Sequence, residues 1–304
     1  MYERSGDSPL RVHHRDAHSR ARTGVLDLPH GPVETPVFMP VGTNGTVKAL
    51  SHAGIEELGF KLILGNTYHL YLRPGMDVIR QFNGLHAFST WPHNILTDSG
   101  GYQIFSLSGF RKLSREGVEF RSHIDGSLHH LTPESVAEIQ GSLGSDVQMV
   151  LDVCTAPDIE WAEAKEAQEL TTLWAGRARA AWDGLSEDYH GLSFGIVQGN
   201  FFKDLRRLSA QQLVELDFPG YAVGGLSVGE TFDRFVEYLA FTAELLPEEK
   251  PRYLMGVGTP EYILEAVKNG IDMFDCVFPT RTARNGTVFT LLGRLALSNA
   301  RFLD

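Results

Sequence analysis

Val147-Gln-Met-Val-Leu-Asp152, the long amphipathic stretch from Glu160 to Asp183, and Ser193-Phe-Gly-Ile-Val-Gln198 form the stretch that decides the fold. Two short apolar runs flank a segment with helical periodicity, and the second run is apolar on both faces. That pattern belongs to parallel strands covered by helices. The same unit recurs along the chain. Strand-like runs lie at Val37–Val41, Lys61–Gly65, Asn94–Asp98, Val147–Asp152, Ser193–Gln198, Tyr221–Gly225, Arg252–Gly256 and Asp272–Cys276. Helix starts between them are marked by Thr132-Pro133-Glu134 and Thr259-Pro260-Glu261, each a cap, a first-turn proline and an acid. Ser51 and Ser209 read as further N-caps. Eight units in a chain of 304 residues predict an α/β (β/α)₈ barrel. A doubly wound open sheet shares the pattern, because periodicity does not reveal closure.

One interval departs from the rhythm. From Ser99 to Asp146 the chain is too long for a single helix, and Val118–Ile124 and Leu128–Leu131 flank Asp125-Gly126. That dipeptide predicts a β-hairpin inserted after the third strand. No Ser/Gly-rich linker or short repeat divides the chain, so residues 1–304 read as one catalytic barrel.

Composition narrows the function. Hydrophobic residues make up 42% and charged residues 21%, as in ordinary globular proteins. No apolar run reaches the ~20 residues of a membrane helix, and the polar, Arg/His-rich stretch Met1–Arg22 has no apolar leader core. A cytoplasmic enzyme with no membrane partner is expected. The formal charge of −11 argues against a generic nucleic-acid binder, whose affinity rests on neutralising phosphates. Cys154 and Cys276 are the only cysteines, too few for a disulfide framework or a four-thiolate zinc site. The adjacent pairs His13-His14 and His129-His130 match no metal motif and read as surface residues, so no metal is assigned to them.

In such a barrel the reactive groups sit at the C-terminal ends of the strands. Those ends carry Asp98, Asp152, Gln198 and Asp275. A strand-end Asp is often only the N-cap of the next helix. Three at equivalent positions, with an amide among them, point to function, since crowded like charges raise one another's pKa. After Asp98, the loop Ser99-Gly100-Gly101-Tyr102 permits close backbone approach to a ligand, or is a tight turn that needs glycine. Tyr102 and Met255 can stack on a planar ligand or simply pack. Arg281 and Arg284 follow the last strand, where they suit phosphate or base edges or are solvated surface arginines.

Longer motifs surround these residues. Thr35-Pro-Val-Phe-Met-Pro-Val-Gly-Thr43, Leu64-Gly-Asn-Thr-Tyr-His-Leu70, Thr97-Asp-Ser-Gly-Gly-Tyr-Gln103, Gly224-Gly-Leu-Ser-Val-Gly-Glu230, Tyr253-Leu-Met-Gly-Val-Gly-Thr-Pro-Glu261 and Phe274-Asp-Cys-Val-Phe-Pro-Thr-Arg-Thr-Ala-Arg-Asn-Gly286 resemble tRNA-guanine transglycosylases. The resemblance runs from about Arg20 to the last residue. It implies a TIM-barrel pentosyltransferase that exchanges guanine at the wobble position of tRNA for a queuosine precursor, with no redox cofactor. Asp275 resembles the nucleophile and Asp98 the proton donor and acceptor. Ser99, Gly100, Gly101, Asp152, Gln198, Gly225 and Leu226, with Tyr102 and Met255 stacking, resemble the base-recognition set. The tRNA contacts implied are Gly256, Val257, Gly258, Thr259, Pro260, Glu261 and Tyr262, then Thr280, Arg281, Thr282, Ala283 and Arg284. Cys154 and Val228 resemble the bacterial pattern, whose incoming base is preQ1 (7-aminomethyl-7-deazaguanine); eukaryotic members carry Val and Gly there and accept queuine. A homodimer is implied as well.

Two departures accompany the resemblance. Val153 stands where bacterial relatives carry Glu, removing a hydrogen-bonding group from the base pocket. The family's Cys-x-Cys-x-x-Cys and later His, which hold Zn²⁺ in a C-terminal subdomain, would fall beyond Arg301-Phe-Leu-Asp304. The expectation is therefore a barrel whose zinc subdomain is absent. Two alternatives follow: a catalytically silent tRNA-binding or accessory subunit, and a glycoside hydrolase using the same carboxylates on free sugars.

Overall fold

The computed structural model describes residues 8–291 and 293–299. The first seven residues of the stretch read for a leader, and Arg301–Asp304, lie outside the described residues.

The eight predicted runs are all strands of one parallel sheet. They are numbered here β1 (Val37–Pro40), β2 (Leu62–Gly65), β3 (Asn94–Thr97), β4 (Val147–Met149), β5 (Leu192–Val197), β6 (Gly220–Val223), β7 (Arg252–Leu254) and β8 (Met273–Cys276). Each pairs with its sequence neighbour, and β8 returns to β1 in the register Asp275↔Met39 and Cys276↔Pro40. The last gap, between β1 and β2, is closed by one parallel bridge, Val41↔Leu64, with Gly42 N–H donating to Leu64 O at 2.7 Å. The sheet is a closed ring, which decides for the barrel over the open doubly wound sheet.

Several strands are shorter than the sequence predicts. β3 stops before Asp98, β4 three residues before Asp152, and β6 and β7 each two residues early, at Val223 and Leu254. The ring pairs only where neighbouring strands run side by side, and beyond that point the backbone turns into the loops that carry the polar residues. Long side chains from both faces still make a dense core. Phe194, Phe218, Phe235, Tyr253 and Phe274 are almost wholly excluded from solvent, and each such side chain contributes ~1.5–3 kcal/mol through burial.

Most predicted helix starts are present. Thr132 caps the helix Pro133–Leu143 and exchanges bonds with Ser135 in a capping box. Ser51 accepts from Gly54 N–H. Thr259 occupies the N-cap of Pro260–Lys268 but its side chain makes no cap bond. Ser209 is a correction: it lies inside the helix Lys203–Glu215, fully buried. The helix begins six residues earlier, after Phe202, because the apolar stripe Leu205–Ser209–Leu213 extends upstream of the serine.

Between β3 and β4 lies a three-stranded antiparallel sheet of Arg111–Leu113, Val118–Arg121 and Leu128–Leu131. Its second and third strands pair Val118↔Leu131 through Arg121↔Leu128 around the Asp125-Gly126 turn, so the second strand ends three residues earlier than read. The first of the three strands was not anticipated. His129 is half-buried here, stacked on Phe120 with ring centroids 5.4 Å apart, so it is not the simple surface residue expected; His130 is exposed.

At the opposite end of the barrel, strands Leu10–Arg15, Arg22–Leu26 and Val33–Thr35 form an antiparallel cover. Arg22 reaches from it to Asp272, at the start of β8, with a fully buried two-pronged ion pair at 2.6 and 2.8 Å. Among the described residues no helix is long and apolar enough to cross a membrane.

Candidate active site

The strand ends carry three carboxyl groups, buried Asp98 and Asp152 and half-buried Asp275, each in its own hydrogen-bond nest. Asp98, just past β3, accepts from Asn66 Nδ2 at 2.5 Å, Gln103 Nε2 at 2.9 Å and the Thr67 N–H at 2.9 Å. Thr67 opens the helix after β2, whereas the helix after Asp98 is capped by Gly100. Asp98 therefore serves a neighbouring strand's loop and is not the N-cap of its own helix. Removing this carboxyl from water pushes its pKa up to about 6; its three donors oppose the shift, and the charge of Asp275 adds to it.

Asp275, the third residue of β8, accepts from the buried Tyr253 hydroxyl at 2.6 Å and from Gly256 N–H at 2.7 Å. Burial raises its pKa, and these two donors hold the rise back. Tyr253 is itself pushed well above the usual phenol range, first by burial and then by the negative charge it faces. It therefore remains a donor to Asp275.

Asp152 forms the third nest. Gln198 Nε2 donates to its Oδ2 at 2.7 Å, Ser99 hydroxyl lies 3.5 Å from Oδ1, and Cys154 Sγ lies 3.7 Å from Oδ2. Burial dominates and raises the Asp152 pKa. The Cys154 thiol is raised well above its ordinary value by burial and by Asp152, so it is a neutral donor here. Gln198 is held from behind: its own N–H donates to Ser209 Oγ at 3.2 Å. The misread serine is thus a backstop for the site.

The Gly-rich loop has a steric reason. A Cβ on Gly101 would lie 2.7 Å from the Asp152 carbonyl oxygen and 2.8 Å from its Oδ1. Gly100 has φ of +85° and packs on Tyr68, so both glycines are demanded by close approach as well as by the turn. Replacing Gly101 with Ala should displace Asp152 and cost ~1–3 kcal/mol, as overpacking does. A lower melting temperature is expected; an unchanged one would refute the steric account.

Not every expected residue joins the cluster. Tyr102 is 59% exposed and its nearest ring is Phe105, at 6.5 Å. Met255 is half-buried against the main core. Val153 is buried in an apolar cluster that includes Leu151 and Trp174, and its N–H donates to Thr171 Oγ1 at 3.0 Å. Gly225 and Leu226 lie on the wall formed after β6, with Leu226 buried. Of the residues expected to meet tRNA, Val257, Gly258 and Thr282 are buried, whereas Gly256, Pro260, Glu261, Arg281, Ala283 and Arg284 face solvent. Thr259, Thr280 and Tyr262 are intermediate; Tyr262 packs on Phe232 and Phe235. Arg284 donates to Lys48 O at 3.2 Å.

Sequence reading missed Asn66, Gln103, Tyr253, Ser209 and Arg206, all bonded to site groups. It also missed a cluster at the far end of the barrel. His30 Nδ1 and His86 Nε2 lie 2.6 and 3.0 Å from the two oxygens of buried Asp146, and this is the one His/Asp group of metal-binding size among the described residues. The two imidazoles stack at 3.7 Å, 16° from parallel. Their ring nitrogens therefore point side by side at the carboxylate, which makes the trio a hydrogen-bonded clasp. The His30 pKa is raised, chiefly by its bond to Asp146.

A closed parallel barrel whose mouth holds two buried carboxyls and a half-buried third, each with matched donors, is a (β/α)₈ enzyme built for carboxylate chemistry. A sequence model of the queuine tRNA-ribosyltransferase family matches residues 16–304. The chain is 55% identical over 287 residues to the queuine tRNA-ribosyltransferase of Borrelia duttonii (strain Ly), covering 94% of this chain and 76% of that protein. The protein of the same name from Pelotomaculum thermopropionicum is 57% identical over 291 residues, covering 96% and 78%. This chain belongs to the queuine tRNA-ribosyltransferase family.

Proposed function

We propose that the chain is a tRNA-guanine transglycosylase, a pentosyltransferase that replaces guanine at the wobble position (34) of tRNA with preQ1. The observation that carries the reading is the placement of Asp98 and Asp275, two carboxyls at one barrel mouth, each held by its own donors and close enough for the charge of Asp275 to raise the pKa of Asp98. Base exchange at a ribose needs such a pair: one carboxylate to form a covalent bond to carbon, and a second to carry a proton.

Asp275 Oδ attacks the anomeric carbon of the ribose, and the bond from that carbon to guanine N9 breaks. The bonding electrons leave with guanine, which takes a proton from the Asp98 carboxylic acid. The incoming base then gives its N9 proton to the Asp98 carboxylate and attacks the same carbon, releasing Asp275. A carboxyl with a pKa of about 6 suits both roles near neutral pH. Asp152 and Gln198 accept from and donate to the purine edge, with the Gly225 and Leu226 backbone beside them and Ser99, Gly100 and Gly101 shaping the approach. Tyr102, largely exposed, and Met255 flank the purine ring.

Gly256, Thr259, Pro260, Glu261 and Tyr262 on one side of Asp275, and Thr280, Arg281, Ala283 and Arg284 on the other, form the tRNA surface. Val257, Gly258 and Thr282 hold that backbone from beneath. Two arginines next to the nucleophile give local positive charge despite the overall balance of −11. Residues 1–304 act as one catalytic barrel, working in the cytoplasm where tRNA is modified, as a homodimer. Cys154 and Val228 favour preQ1 over queuine.

The family resemblance also implies zinc. The thiols described here do not fit a thiolate site: Cys154 faces Asp152, and Cys276 Sγ accepts from Phe278 N–H at 3.3 Å. No step of the exchange is routed through a metal.

Incubation with guanine-34 tRNA and labelled guanine should place label in the tRNA. Absence of label refutes the enzymatic reading; tRNA binding without label would favour the accessory subunit, and hydrolysis of simple glycosides alone would favour the glycosidase.

A further inference from the structure

The guanidinium of Arg206 is wholly buried behind the base-recognition wall, on the helix Lys203–Glu215, and no carboxylate lies within ion-pair distance of it among the described residues. Burying a charge without a counter-ion is expensive. Three backbone carbonyls offset the cost in part. Nε donates to Asn200 O at 2.7 Å, and Nη2 donates to Gly224 O at 3.1 Å and Gly225 O at 3.3 Å. Nη1 has no partner. The charge therefore ties the loop after β5 to the loop after β6.

The peptide units this charge holds have a fixed consequence. The cis peptides among the described residues are Thr35-Pro36 and Arg73-Pro74, so both units after Gly224 are trans, with each C=O antiparallel to the next N–H. Turning the Gly224 and Gly225 carbonyls to Arg206 turns the Gly225 and Leu226 N–H groups away from it. Neither N–H has a protein acceptor among the described residues. The same backbone abuts Gln198: a Cβ on Gly224 would lie 2.8 Å from Gln198 Nε2, and one on Gly225 2.7 Å from its Oε1. Two unfilled donors thus stand beside the Gln198–Asp152 pair.

We propose that Arg206 is a positioning residue for base exchange: it fixes the Gly225 and Leu226 N–H groups as a paired donor for the carbonyl oxygen of the purine. When the glycosidic bond breaks, the electron pair left on the base spreads to that oxygen. Preorganised donors stabilise such developing charge, and a cation bonded to the far end of the same peptide units strengthens them as donors. The inference deepens the base-exchange reading and rests on it.

The test compares the whole chain with Arg206→Lys and Arg206→Met by exchange kinetics, with melting temperature as the folding control. Lys keeps the charge but not the fork that spans both carbonyls. For Arg206→Lys a fall of roughly 10–100-fold in kcat/KM for guanine is expected, less than the ~10²–10³ that follows from losing an oxyanion donor outright, because the donors stay and only their positioning is loosened. The KM for tRNA should stay within about twofold, and Arg206→Met should fall further. A folded Arg206→Lys variant with unchanged guanine kcat/KM overturns the proposal. If both variants unfold, the native protein decides: guanine should shift the Gly225 and Leu226 amide protons downfield while the Arg206 Nε–H signal persists, and no shift overturns it. An inactive wild-type chain would instead defeat the exchange reading, leaving the amide shifts to judge the positioning.

Discussion

Asp275→Asn should leave a folded barrel that forms no covalent complex with tRNA and exchanges no base. The Asn side-chain oxygen can still accept from Tyr253 and Gly256, the two donors that hold Asp275, so the nest survives. The neutral amide oxygen is a far weaker nucleophile toward the ribose carbon than a carboxylate. Removing the nucleophile from a covalent mechanism costs several powers of ten, here at least ~10⁴-fold in kcat. Denaturing electrophoresis of protein incubated with tRNA and a trapping base should show a retarded band for the wild type and none for the variant. A retarded band from Asp275→Asn would remove Asp275 from the nucleophile's place.

The second large effect concerns pH. With Asp98 at a pKa of about 6, the two half-reactions should respond to pH in opposite directions. Guanine departure needs the acid form, so its single-turnover rate should fall about tenfold per unit above pH 6. Attack by the incoming base needs the carboxylate and should fall about tenfold per unit below pH 6. Asp98→Asn should abolish both dependences together with at least ~10²-fold of the rate, the lower range for general acid–base catalysis. Rates from both half-reactions that track each other across pH 5–8 would eliminate Asp98 as the shared proton carrier. The stability sign follows from the same shift. A carboxyl whose folded pKa is raised from 3.8 to about 6 favours the folded state most below its unfolded value, and that contribution disappears as pH rises through 6. Asp98 therefore weakens the fold at neutral pH, a cost tolerated where the chemistry needs a carboxyl out of water.

What could be read from the chain, and what could not, divides by distance. Each strand of the ring carries its own apolar signature, and the glycine pair after Asp98 announces a close approach within a few residues. Asp98, Asp152, Gln198 and Asp275 were found because each occupies the same place in a repeated unit. Their partners have no such address. Asn66 reaches Asp98 from the neighbouring strand, Tyr253 reaches Asp275 from another, and Ser209 turns back from a helix to the Gln198 N–H. Such meetings depend on strand register and tilt, which one sequence does not display. Ser209 shows the hazard directly: a small polar residue before an apolar turn looks like a helix cap, yet here its hydroxyl is enclosed and faces the site. The clasp of His30, His86 and Asp146 joins residues up to 116 positions apart and left no local trace.

The single bridge that closes the ring, Val41↔Leu64, sits between β1, the partner of the strand bearing Asp275, and β2, the partner of the strand leading to Asp98. The short path around the ring from Asp275 to Asp98 therefore crosses its most lightly stitched joint. Widening the gap between those two carboxyls strains very few backbone bonds there, whereas the longer ladders between β5 and β6 or β8 and β1 would resist it. Backbone resistance to separating the strands of Asp98 and Asp275 is therefore low at this joint, and higher across the four-pair ladder of β5 and β6 that runs behind Gln198 and Gly225.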